Sequence, residues 1–223
     1  MDSLFHNVEL LPLLMRGAGV TLRLAAESIV AALIVSFVIG MARGSKSLML
    51  RKAALVFVEF FRGTSLLVQL FFLYFIFPLY GVQLSAEVTA VIGLGLNLGA
   101  YGSEIVRSAI ESIDAGQVEA ARSLSLPRWI TFRKVVLPQA VIIMLPSFGN
   151  LAIEIVKATS LVSLITIPEL TFNGQSLVYS TGQTSLIWAD VLVLYLLINT
   201  PLNLLVLWAE RRAGRFRGAS RGV

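Results

Sequence analysis

Stretches of apolar residues long enough to cross a lipid bilayer, parted by short clusters of arginine and lysine, are what most constrain this chain. The first runs from about Gly17 to Ala42, which suits the ~20 residues a helix needs to cross the hydrocarbon. Four more follow, at about Ala53–Tyr80 (closed by Pro78 and Gly81), Leu84–Ile110, Val135–Ile155 with an extension toward Leu161, and Ser185–Trp208. They predict an all-α membrane protein of about five transmembrane helices. Composition agrees, because 57% of the chain is hydrophobic and only 14% charged, where soluble domains carry about 25% charge. There is no cysteine, so disulfides, thiolate metal sites and thiol nucleophiles are excluded.

Five spans put the termini on opposite sides, and charge decides which. Arg43, Lys46, Arg51 and Lys52 follow the first span; Arg107, Arg122, Arg128, Arg133 and Lys134 flank a polar island; Arg211, Arg212, Arg215, Arg217 and Arg221 occupy the tail. Fourteen of the eighteen basic residues thus share one side, which the positive-inside rule makes cytoplasmic. Residues 1–16 become an extracytoplasmic segment without the basic start and cleavage site of a signal peptide. Residues 17–210 form one transmembrane domain with a loop at about 111–134, and residues 211–223 a basic cytoplasmic tail expected to be disordered. The net charge of +5 comes from span ends without aromatic interleaving, which excludes nucleic acid as a partner.

The island from Gln117 to Ala140 reads as structure. Glu119, Ala120, Ala121 and Leu124 predict one short helix beginning near Glu119, and Ser125-Leu126-Pro127 predicts its stop. The alanine pair leaves a bare flank that another protein could approach, with Glu119 as a fixed charge near the positive helix end. Docking is the expected role.

On these residues the chain resembles the integral-membrane subunits of ABC importers. Glu119-Ala120-Ala121, a turn residue at Ser125 and Leu137-Pro138 are similar to that family's EAA loop. Glu59–Leu70, Ala100–Ile110 and Lys157–Leu161 resemble its polar amino-acid branch, and Asn150–Phe172 resembles subunits for ectoine and hydroxyectoine. Ser125 stands where the family usually has Gly, and Ser65 where it has Pro; a serine adopts the left-handed turn for about 1 kcal/mol. The resemblance implies a bacterial cytoplasmic-membrane complex with two copies of a cytoplasmic ATPase, a second permease that is identical or homologous, and an extracytoplasmic solute-binding protein. ATP and magnesium would sit on the ATPase, with no cofactor on this chain. The coupling residues would be Glu119, Ala120, Ala121 and Ser125.

Ionisable residues inside spans cost about 2.5–3.5 kcal/mol unless paired or wet. Glu59 with Arg62, and Glu104 with Arg107, are three apart and predict structural ion pairs on helix faces. Asn150, Glu154 and Lys157 share a face, with Thr159 and Ser160 beyond where the helix loosens. That face either binds a zwitterion, carboxylate to Lys157 and cation to Glu154, or carries a self-satisfied pair. Asn97 either joins this path or bridges helices. Glu27 and Asp190 are isolated and receive no role.

Catalysis finds no support in the pattern. The run from Gly40 to Ser47 misses the phosphate-loop spacing by one residue, with Ser45 before Lys46, so ATP hydrolysis belongs to a partner. The lone histidine, His6, gives neither a metal site nor a triad. A competing reading is an autonomous ion-coupled carrier or channel using the buried charges, which leaves the docking island unexplained.

Overall fold

The computed structural model describes the backbone of residues 2–219 and the side chains of residues 11–211. Nine α-helices make up the described fold: α1 (Asp2–Arg43), α2 (Leu48–Gly63), α3 (Leu66–Phe71), α4 (Ala86–Glu111), α5 (Ala115–Ser123), α6 (Arg128–Thr131), α7 (Leu137–Ala158), α8 (Leu170–Thr181) and α9 (Thr184–Ala219). His6 and the arginines from 212 onward lie outside the described side chains.

Three stretches are long and apolar enough to cross a membrane: Leu11–Arg43, Arg128–Ile165 and Thr184–Arg211. The region expected as one span at Ala53–Tyr80 is instead two helices bent by 101° at Thr64-Ser65, and counting that pair as a span gives four. The expected Leu84–Ile110 span is α4, 26 residues long and hence about 39 Å, but its four glycines, Asn97, Ser103 and Glu104 keep it off that count. Two ends also differ from expectation. Helix α1 begins at Asp2, so the segment before Gly17 belongs to the first helix, whose apolar stretch starts at Leu11 with Leu14 buried. Helix α9 carries on through the basic tail to Ala219, where arginine and alanine are good helix formers.

The centre of the bundle is the pair α1 and α4. Helix α1 shows a stripe of small side chains, Ala18, Thr21, Ala25, Ser28, Ala32 and Ser36, all buried and recurring every three or four residues. It faces the glycines of α4 so closely that a methyl on Gly99 would lie 2.6 Å from Val35 Cβ. In lipid, where burying apolar surface gains little, such close approach supplies the packing contact that holds helices together. Ser36 adds hydrogen bonds to Ala32 O at 2.6 Å and Gly99 O at 3.2 Å. The sequence reading found the glycines and missed the stripe facing them.

Two departures from α-geometry have local causes. The bend after α2 leaves carbonyls at Phe61 and Thr64 without helical partners, and Gln69 Nε2 donates to both at 3.2 and 3.4 Å. Asn97 Nδ2 donates to Phe61 O at 2.8 Å and Gln69 Oε1 at 3.1 Å, so α4 braces the bend. Between α6 and α7 a π-turn covers Phe132–Val136. Pro138 has no N–H and its ring clashes with the carbonyl four residues back, and the wider turn relieves both. The expected span start at Val135 therefore moves back to Arg128, and the second half of the polar island is helix.

Candidate functional site

Helix α5 begins at Ala115, four residues before the expected Glu119, because Asp114 caps it through Gly116 N–H at 2.7 Å. Its stop is a Schellman motif: Leu126 N–H reaches Ala121 O at 3.1 Å and Ser125 N–H reaches Arg122 O at 2.8 Å. Ser125 carries φ 54°, the left-handed turn expected of it. Glu119 and Ala120 are exposed, whereas Ala121 is buried, so the bare flank expected of the alanine pair reduces to Ala120. Leu124, 75% exposed, and Trp129, 64% exposed, continue this surface.

An ion network joins α1 to α4, and its Arg107 and Glu111 line a cavity with Trp129 and Phe132. Glu104 bridges Arg43 of α1 and Arg107 of its own helix, and Arg107 also reaches Glu111, with Arg107 Nε at 2.9 Å from Glu104 Oε1. The expected Glu104–Arg107 pair is thus present and larger than a pair, tying the last turn of α1 to the last turns of α4. The expected Glu59–Arg62 pair is not formed: both side chains are exposed, and the Arg62 guanidinium instead stacks over Tyr101 at 5.2 Å. The Tyr101 ring face takes the guanidinium in place of a neighbour on the same helix.

Helix α7 carries the expected solute residues, but it divides them. A cavity of about 650 Å³ between α7 and α9 is lined by Asn150, Lys157, Ser160, Tyr195, Asn199 and Asn203, among others. A second of about 380 Å³ on its other side is lined by Arg62, Tyr101, Glu104, Asn150 and Glu154. Asn150 borders both. Glu154 and Lys157 make no ion pair with each other among the described residues, so the self-satisfied pair is set aside and the single shared face becomes two. The reason is angular: residues three apart on a helix differ by about 60°, enough to face different neighbours. Asn97 joins neither cavity, being buried and bound to the α2 bend. Thr159 and Ser160 begin a 3₁₀ turn, Thr159–Ile165, a tightening where loosening was expected. Thr159 is buried with its hydroxyl on Val156 O at 2.7 Å. Ser160 borders the larger cavity.

The sequence reading missed the contribution of α9. Tyr195, Asn199 and Asn203 recur every four residues and all line the larger cavity; polar residues at that spacing on an apolar helix were the signal. It also passed over Glu169, whose side chain is fully buried. Burial pushes its carboxyl above the usual carboxylate range, opposed by backbone donors at Thr171 and Phe172 and hydroxyls at Tyr195 and Thr21. Glu27, given no role, lies 3.9 Å from Arg23, which also meets Glu87. Among the described residues no group of three His, Cys, Asp or Glu could hold a metal ion.

Known proteins with this architecture are transport subunits. The chain is 41% identical to a probable amino-acid ABC transporter permease of Sinorhizobium fredii, covering 92% of this chain and 89% of that one. It is 38% identical to the glutamine transport system permease of Escherichia coli, covering 91% and 93%. Its fold matches a crystal structure of an amino acid ABC transporter with histidines at a TM-score of 0.88 and 30% identity, covering 93% and 97%. A methionine ABC transporter in an inward-facing conformation shares the fold at a TM-score of 0.69 and 21% identity. Residues 32–215 match the family model described as binding-protein-dependent transport system inner membrane component. The chain belongs to that family, a multi-pass inner-membrane permease component that is not itself catalytic.

Proposed function

We propose that the chain is the permease subunit of an importer moving polar amino acids, or a compact zwitterion such as ectoine or hydroxyectoine, into the cell, driven by ATP hydrolysis on a partner. The observation that carries this is α5: a short capped helix that exposes Glu119, Ala120 and Leu124 and packs on α6 and the π-turn, whose Trp129 and Phe132 line a cavity with Arg107 and Glu111 of the ion network. A push on α5 then reaches the central helix pair. With fourteen basic residues on the same side, α5 faces the cytoplasm and the ATPase. In this reading α4 is the fifth span, shielded from lipid by its neighbours. Two ATPases, a second permease and an extracytoplasmic binding protein complete the complex.

For the solute, the two cavities flanking α7 present Lys157 on one side and Glu154, with Glu104 and Arg62, on the other. Lys157 with the amides of Asn150 and Asn199 suits a carboxylate, and Glu154 suits a cation, with Asn150 between them. A zwitterion crossing α7 exchanges one for the other. The names of the relatives, amino-acid and glutamine permeases, favour amino acids. The test is uptake of L-glutamine, L-arginine, L-histidine and ectoine by vesicles holding the permeases, ATPase and binding protein. Uptake that needs both ATP and binding protein is expected. Uptake by the permease alone, down an ion gradient, would establish the carrier reading instead.

A further inference from the structure

Glu169 sits where three helices meet. Its Oε1 accepts from Phe172 N–H at 2.7 Å, capping α8. Its Oε2 accepts from the Thr21 hydroxyl of α1 at 3.3 Å and from the Tyr195 phenol of α9 at 3.0 Å. Thr21 in turn accepts from Leu170 N–H at 3.2 Å, and the Tyr195 oxygen shares a hydrogen with Thr171 at 3.0 Å. Gly17 lies against the junction: a methyl there would come within 2.9 Å of Leu170 Cα, so α1 and α8 are locked backbone to backbone. Among the described residues no cation pairs with Glu169.

Capping alone does not call for a buried glutamate, because Ser, Thr, Asp or Asn caps a helix from the same position with less to desolvate. What glutamate adds is a second oxygen with the reach to hold Tyr195. That residue is part of the wall of the 650 Å³ cavity, with Lys157, Ser160 and Asn199. We propose that Glu169 is a positioning residue for this cavity: it holds the Tyr195 hydroxyl away from the solute and ties the α9 wall to α1 and α8. The solute then meets the ring of Tyr195, and polar recognition falls to Lys157 and the asparagines. This rests on the α7–α9 cavity being part of the solute path.

The chain contains no cysteine, so one introduced thiol reports on the cavity without background from this subunit. Ser160→Cys places it on the α7 side; Ser112→Cys, beyond the far end of α4, serves as control. In the assembled complex, the modification rate by a water-soluble cationic methanethiosulfonate is measured with Tyr195→Phe, Glu169→Gln and both. Each substitution is expected to change the Ser160→Cys rate about tenfold, the effect of losing a hydrogen bond to a charged group, and the pair no more than either alone. The Ser112→Cys rate should hold. Tyr195→Phe keeps both the ring volume and the α8 cap, so it carries the test if Glu169→Gln fails to fold.

Uptake adds a second readout. With L-glutamine and L-arginine as probes, the ratio of their half-saturation concentrations should shift about tenfold in Tyr195→Phe, with maximal rates less affected. Unchanged Ser160→Cys rates, or additive effects in the double variant, would overturn the positioning role. Wild-type complex that takes up neither amino acid, while the thiol rates respond as expected, would overturn the solute reading and leave the positioning role standing.

Discussion

Helix α5 closes at Ser125, and the 3₁₀ turn that continues α7 closes at Thr166; the two closures share a backbone. Each residue is left-handed, with φ 54° and 70°, and each follows the Schellman pattern, completed at the second by Thr166 N–H to Ser163 O at 3.2 Å and Ile167 N–H to Val162 O at 3.4 Å. Their surroundings are opposite. At the Ser125 end the acidic residues are exposed or paired: Glu119 faces outward and Glu104 and Glu111 meet arginines. Just beyond the Thr166 end Glu169 is fully buried and held by neutral donors alone. Exposed charge is a surface for another protein to grip, whereas a buried, saturated carboxylate fixes its own helices. With the docking role proposed for α5, the contrast separates a part to be pushed from a part that keeps its shape.

Reversing charge at the gripped end should have the largest effect. Glu119→Arg is expected to lower ATP-driven uptake by about a hundredfold, since like charges set against a complementary surface cost several kcal/mol. Membrane insertion should be unaffected, and the ATPase should no longer co-purify. Full uptake from this variant would remove α5 from the docking role. The buried end should respond in stability: Glu169→Ala leaves the Phe172 N–H and the Tyr195 and Thr21 hydroxyls without their acceptor, a loss of about 2–3 kcal/mol. Glu119→Ala should stay within about 0.5 kcal/mol. Equal thermal shifts for the two alanine variants in detergent would erase the contrast.

Glu104 lies between these extremes, half-exposed and shared by Arg43 and Arg107. Glu104→Gln should destabilise by about 1 kcal/mol, screened in part by water and shrinking as salt is raised. A loss independent of salt would mean that the network acts as buried structure, more like Glu169 than Glu119.

These differences show what the sequence could reveal. The apolar runs, the α5 stop at Ser125 and the Glu104–Arg107 pair were legible because each depends on residues within a turn or two of one another. The bend after Gly63 was legible as a break but not as 101°, since its angle is set by Asn97 and Gln69 meeting from distant helices. For the same reason the solute face was read as one. Glu154 and Lys157 share a helix, but which cavity each enters depends on α4 and α9, whose approach the local pattern does not encode. Glu169 went unread because capping, the only local role its position suggests, hides its partners on α1 and α9, of which Thr21 is 148 residues away.

The smallest expected effect tests the shared backbone of the two closures. A left-handed residue other than glycine is strained by about 1 kcal/mol or more, greater for a β-branched side chain, so glycine at either position relieves strain. Glycine also loses more freedom on folding, which returns part of that gain. Ser125 makes no side-chain hydrogen bond among the described contacts, so Ser125→Gly should stabilise by about 0.5 kcal/mol. Thr166 is the more strained, but its hydroxyl lies 3.2 Å from the Tyr74 phenol, a contact worth about 1 kcal/mol that glycine removes. Thr166→Gly should therefore bring no gain, and Tyr74→Phe in that background should cost nothing further. Thermal unfolding of these variants separates the two ends by sign: equal stabilisation at both would show that Thr166 is held by its backbone alone and that Tyr74 contributes nothing to that turn.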